Sequence, residues 1–132
     1  MIVDCRILNV ECFMHKENLK RRTKQYALRI MRLTQALPNN QLGWVIGKQL
    51  VRSGTSVGAN YRAACRARST AEFIAKLGIV IEEADESAFW LELIIESGMY
   101  KKEAIDSLLK ETNEIVAIMV SSSNTAKKND KK

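Results

Sequence analysis

Apolar residues in this chain return every third or fourth position through four successive blocks, and that spacing restricts it to packed helices. In the first block Leu19, Thr23, Tyr26, Ile30, Leu33 and Leu37 step by 4, 3, 4, 3 and 4, the spacing of a buried seam. This predicts a helix from about Glu17 to Leu37, ended by Pro38-Asn39-Asn40, because proline disfavours helix in the residue before it. A second helix is predicted over about Gln41 to Ala67, with a more polar seam at Leu42, Ile46, Gln49, Ser53, Val57, Asn60 and Ala64. The third opens on Ser69-Thr70-Ala71-Glu72, a capping box, and closes at Gly98, where a left-handed C-cap belongs. Its seam is Phe73, Leu77, Val80, Ala84, Ser87, Leu91 and Ile94, widened by Ile74, Ile81, Ala88 and Ile95. The fourth, about Lys102 to Ser123, repeats the seam at Ile105, Leu108, Thr112, Ile115, Met119 and Ser122.

Proline occurs once, and no strand-like alternation or internal repeat interrupts the helical pattern. A length of 132 residues suits one domain. Four helices with short connections predict an all-α fold, an antiparallel up-down-up-down four-helix bundle over residues 17–123. Residues 1–16 read as a disordered or non-native extension, with Met14 as the expected natural start. Residues 124–132 are polar and lysine-rich and read as a disordered basic tail.

The residue types needed for several functions are missing. The single histidine, His15, lies in the N-terminal segment, so no Ser/His/Asp or Cys/His set can be built around a core histidine. The carboxylates Glu82, Glu83, Asp85 and Glu86 have no histidine to join, so no metal site or other cofactor is expected. Gly43-Trp44-Val45-Ile46-Gly47-Lys48-Gln49 only faintly resembles a phosphate loop, with the wrong spacing and no hydroxyl after the lysine. Cys5, Cys12 and Cys65 form no paired motif, which argues against a disulfide framework and for a reducing cytoplasm. No apolar run reaches the roughly 18–20 residues that span a bilayer, so no membrane partner is expected.

The basic residues are patterned. The net charge is +6. Lys48, Arg52, Thr55, Ala59, Arg62 and Arg66 lie along one stripe of helix two, and Arg22, Gln25, Arg29 and Arg32 along one of helix one. Lys20, Arg21 and Lys24 add charge at the start of helix one. Such stripes suit phosphate, since arginine offers a planar fork of donors. They equally suit ion pairs with Glu82, Asp85 and Glu86 of helix three, with Arg52 the first candidate for a structural role and Arg22, Arg29, Arg32 and Arg66 expected to stay free. A second apolar set, Ala27, Leu28 and Met31 on helix one with Phe89 and Trp90 on helix three, points away from the seams and predicts an oligomer interface. Gly54 and Gly58, four apart inside helix two, predict close approach of a neighbouring helix.

The run from Val45 through Arg52-Ser53-Gly54-Thr55-Ser56-Val57-Gly58-Ala59-Asn60-Tyr61 to Ala64, with Leu37-Pro38 before it, resembles the signature of the four-helix-bundle proteins encoded in 23S rRNA intervening sequences. Arg66-Ala67-Arg68-Ser69, Glu72-Phe73, Lys76-Leu77, Glu83-Ala84-Asp85-Glu86 and Trp90-Leu91-Glu92-Leu93 add to the likeness, which spans about Asn18 to Lys128. The resemblance implies a bundle that assembles into a homopentamer and is similar to the accessory variability protein of diversity-generating retroelements, a nucleic-acid-binding pentamer. It implies no catalytic residues. Relatives often carry glutamate at the position of Ala63, a polar residue at Cys65, and a basic or polar one at Gly78. The expectation is a non-enzymatic homo-oligomer that binds RNA or DNA through Arg22, Arg29, Arg32, Lys48, Arg52, Arg62 and Arg66. The alternative is a scaffold that docks a partner protein.

Overall fold

Each interruption of the apolar spacing is a helix boundary in the computed structural model, which describes the backbone of residues 2–130 and the side chains of residues 14–130. Four helices follow one another, α1 (Ile2–Ala36), α2 (Gln41–Cys65), α3 (Thr70–Glu96) and α4 (Lys102–Asp130), and the described residues contain no strand. Asn40 caps α2, its side-chain oxygen accepting from the Gly43 amide at 2.9 Å. Ser69 caps α3 by accepting from the Glu72 amide at 3.1 Å. Glu72 reaches one residue further back than a reciprocal box requires, accepting from the Arg68 amide at 3.1 Å. Gly98 ends the α3 region with φ 71°, in the left-handed space that only glycine enters without strain.

Two boundaries differ from the sequence expectation. α1 is helical from Ile2, where residues 1–16 were expected to lie outside the helix, and α4 runs on to Asp130, where a disordered tail was expected from residue 124. Neither stretch contains a proline or glycine to stop the adjoining helix. Lys127 and Lys128 also sit in the last turn of α4, where cations favour the helix dipole. The expected choice of Met14 over Met1 as natural start turns on Met1, which lies outside the described residues.

The helices pack in chain order, α2 against α1 and α3, and α3 against α4. Neighbours run antiparallel: Ile30 of α1 meets Gly54 of α2 while the earlier Thr23 meets the later Gly58. The seams of α1 and α4 are buried as spaced, apart from Ser122, which is half-buried while Ser123 is inside. The seam of α2 is displaced. Leu42 is 56 % exposed and Gln49 and Asn60 are half-buried, while Gly43, Gly47, Leu50, Gly54, Gly58 and Tyr61 are inside. A helix wedged between two neighbours buries a wider arc than one seam, and here the arc extends along the glycine edge.

A Cβ on Gly54 would lie 2.8 Å from Ile30 Cγ1, and one on Gly58 would lie 3.3 Å from the Thr23 carbonyl oxygen. Both glycines therefore serve the approach of α1, and any helix-propensity loss they carry is offset by that contact. α1 and α4 make fewer backbone approaches and are tied mainly through side chains. Tyr26 and Thr112 share a buried hydroxyl hydrogen bond of 2.6 Å, and Ser53 and Ser87 share one of 2.8 Å between α2 and α3. Burial is the main cause that raises the Tyr26 phenol above its ordinary value, opposed by hydrogen bonding to Thr112 and Ser87.

Candidate nucleic-acid interface

The close contact of Gly58 with Thr23 draws the two flanks of that crossing together. Lys20 and Lys24, on either side of Thr23, line one groove with Arg62, one turn beyond Gly58. The result is a groove of about 360 Å³ lined by Glu17, Lys20, Arg21 and Lys24 of α1 and by Arg62 and Arg66 at the end of α2. Its one carboxylate, Glu17, is engaged by Lys20 at 3.0 Å. Arg21 reaches only the neutral Asn18 side chain. Among the described residues no carboxylate pairs with Lys24, Arg62 or Arg66. Several unneutralised cations around one concavity favour an anion, and arginines at its rim suit phosphate oxygens.

The seven basic residues singled out from the sequence divide into two groups. Arg22 is not free. It makes a forked contact with Glu111 of α4, Nε to Oε2 at 2.8 Å and Nη2 to Oε1 at 2.6 Å, and it also approaches Glu114 at 3.3 Å. The hydrogen bond from Arg22, opposed by partial burial, holds the Glu111 carboxyl below the usual carboxylate range, and the same bond raises the Arg22 guanidinium. Arg29 is also engaged, donating to Ser107 Oγ at 3.0 Å. Arg52 pairs with Glu83 at 3.0 Å and with Glu86. These three arginines clamp α1 to α4 and α2 to α3. Arg32, Lys48, Arg62 and Arg66 are exposed and have no ion-pair partner among the described residues. The sequence reading expected carboxylates on helix three as partners. It missed Glu111 and Glu114 on α4, and it placed Lys20, Arg21 and Lys24 only as extra charge, although they form one wall of the groove.

The expected apolar contact residues also divide. Leu28, Met31 and Phe89 are 41 %, 45 % and 51 % exposed. Ala27 is half-buried. Trp90 is not a surface residue of that kind: it packs against the core, edge-on to Phe89 at 5.2 Å between ring centroids, with its indole N–H enclosed and without an acceptor among the described residues. Exposed apolar side chains not expected at a contact from the sequence include Leu42, Trp44, Val45 and Leu93. Among the described residues no cluster of three or more His, Cys, Asp or Glu is placed to hold a metal, and no helix is long and apolar enough to cross a membrane.

Fold and surface together define a class: a four-helix bundle whose charge is concentrated on helix faces and in a groove between two helices. Residues 16–121 match the model of the 23S rRNA-intervening sequence protein family, and the chain belongs to that family. It is also similar to a solved structure from Bacteroides thetaiotaomicron, a protein of unknown function from the S23 ribosomal protein family. The two are 38 % identical, with a TM-score of 0.77, over 83 % of this chain and 97 % of that one. A comparison with curated proteins gives no match.

Proposed function

We propose that this protein is a non-enzymatic homo-oligomer, a pentamer as the family resemblance implies, that binds RNA through the basic groove between α1 and α2. The observation that carries the reading is the groove itself, where Lys24, Arg62 and Arg66 converge without a carboxylate partner among the described residues. Arg32 and Lys48 extend the positive surface, and Arg22, Arg29 and Arg52 are removed from the set that contacts phosphate. Exposed apolar residues on two different sides, Leu28 and Met31 on α1 and Phe89 and Leu93 on α3, support assembly. Two unlike faces that meet head to tail form a closed ring when the rotation permits. A ring repeats one weak groove several times before the same polyanion, which multiplies affinity without a new kind of contact.

The test is titration of structured RNA with the intact protein at several salt concentrations, with mass measured in parallel by light scattering. Each phosphate neutralised on duplex contributes a slope of about 0.9 in log affinity against log salt. R62Q/R66Q is expected to lower affinity and flatten that slope with helicity and mass unchanged. Failure of the oligomer to bind RNA or duplex DNA at low salt would favour the scaffold reading, for which the apolar surface at Leu42, Val45, Phe89 and Leu93 is the specific support.

A further inference from the structure

Trp44 is the most exposed large apolar side chain described, at 62 %. It is not loose: its indole N–H donates to Asn39 Oδ1 at 2.8 Å, so one edge of the ring is fixed to the α1–α2 connection. Beside it lies a groove of about 550 Å³ lined by residues that include Thr34, Gln35, Pro38, Lys48 and Val51. Lys48, one turn along α2, is an exposed cation without a carboxylate partner among the described residues. The same outer stripe of α2 continues from Trp44 and Lys48 through Thr55 to Arg62 and Arg66, the rim of the basic groove. At the helical rise that path covers roughly 33 Å, room for several nucleotides.

A tethered indole with its bulk in solvent, followed by spaced cations, has the composition of a stacking platform joined to a phosphate track. Stacking needs a base whose face is free, and a paired base in the interior of a duplex has none to offer. We infer that Trp44 is a stacking site for an unpaired base, and that the ligand of this face is single-stranded RNA running from Trp44 past Lys48 to Arg62 and Arg66. The inference rests on the proposed RNA-binding reading and narrows it from phosphate in general to an unpaired strand.

The experiment uses the full chain with three fluorescein-labelled probes: oligouridine of about twelve nucleotides, the corresponding oligothymidine, and a duplex RNA of equal length. W44A is expected to weaken oligouridine binding by about 5- to 150-fold while leaving the duplex unchanged. W44F, which keeps a ring, should recover most of the loss. Circular dichroism and light scattering on each variant verify fold and mass. An equal loss on strand and duplex, or no loss on oligouridine, overturns the assignment, as does a drop in oligomer mass for W44A, which would make Trp44 a subunit contact. A larger effect of W44A on oligothymidine than on oligouridine overturns the choice of RNA. If the unaltered protein binds none of the probes, the RNA-binding reading itself fails. If it binds them and R62Q/R66Q matters but W44A does not, only the stacking site fails.

Discussion

Gly54→Ala sets two calculable effects against each other. In an ordinary helix interior alanine is about 1 kcal/mol better than glycine, so the substitution would be stabilising if only propensity counted. Here the added methyl would stand 2.8 Å from Ile30 Cγ1, 2.9 Å from Cγ2 and 3.2 Å from Cβ. Carbon atoms prefer separations of about 3.5–4.0 Å, so the overlap is roughly 0.7 Å with two atoms at once. Ile30 is fully buried and β-branched, so it has few rotamers with which to yield. The helices must part locally, at an overpacking cost of about 1–3 kcal/mol. G54A should therefore lose about 1 kcal/mol net. Gly78 provides the control, since nothing lies within 4 Å of a Cβ built there, and G78A should gain up to about 1 kcal/mol. The assay is urea unfolding followed by circular dichroism at fixed protein concentration, because the stability of an oligomer depends on concentration. A cycle with Ile30→Ala sharpens it: that variant alone should cost about 2–5 kcal/mol, and the double variant should cost less than the sum because the new methyl enters the vacated space. Equal stabilisation by G54A and G78A would refute the reasoning.

Glu111 titrates below its ordinary range in the folded state because Arg22 binds the carboxylate, so its stabilisation is present above the ordinary glutamate value and is lost as pH falls through the depressed one. E111Q should accordingly flatten the acid limb of a stability–pH profile measured by urea midpoints. Tyr26 is raised, so in base the unfolded chain ionises first and stability falls above about pH 10; Y26F should remove part of that alkaline loss while costing about 1 kcal/mol at neutral pH. On the proposed assembly, F89E should reduce the mass seen in analytical ultracentrifugation without changing helicity, because Phe89 is 51 % exposed and outside the core of the bundle. A charged substitution at Trp90 should instead lower helicity, since that ring packs on the core.

The seams of α1, α3 and α4 were legible because each is set by local spacing against one dominant core, and the caps at Ser69 and Gly98 because their chemistry is contained within a few residues. The seam of α2 was not. Leu42 fits the period but lies at the first turn, where it is 56 % exposed, while Gly43 and Gly47 are buried although glycine carries no hydrophobic signal. Gly43 is covered by Pro38 and Asn40 of the connection and Gly47 by Thr34 and Leu37, neighbours that the spacing along α2 does not contain. The two helix ends were missed for a related reason: a stretch without proline or glycine, whatever its polarity, can extend a helix that begins inside a core.

The arginines show where reading a single helix stops. Arg22, Gln25, Arg29 and Arg32 share one stripe, and on α1 alone they are equivalent. Their difference arises across the α1–α4 boundary, where Glu111 sits opposite Arg22 and Ser107 opposite Arg29, while Arg32 has no ion-pair partner among the described residues. An antiparallel pair shifted by one turn would exchange those roles with no change in sequence pattern. On α2 the same division runs along the helix, with Arg52 clamped to Glu83 and Glu86 and with Lys48, Arg62 and Arg66 left over. Net charge alone therefore overstates the surface available to a polyanion. The cations that matter are those left after interhelix pairing, and three of them, Lys24, Arg62 and Arg66, line one groove beside the crossing of Thr23 and Gly58. The small residues of the family signature thus have a consequence beyond packing: they set the width of the groove in which, on the proposed reading, Lys24, Arg62 and Arg66 would face one anion together. Widening that crossing should weaken polyanion binding even when every basic side chain is retained.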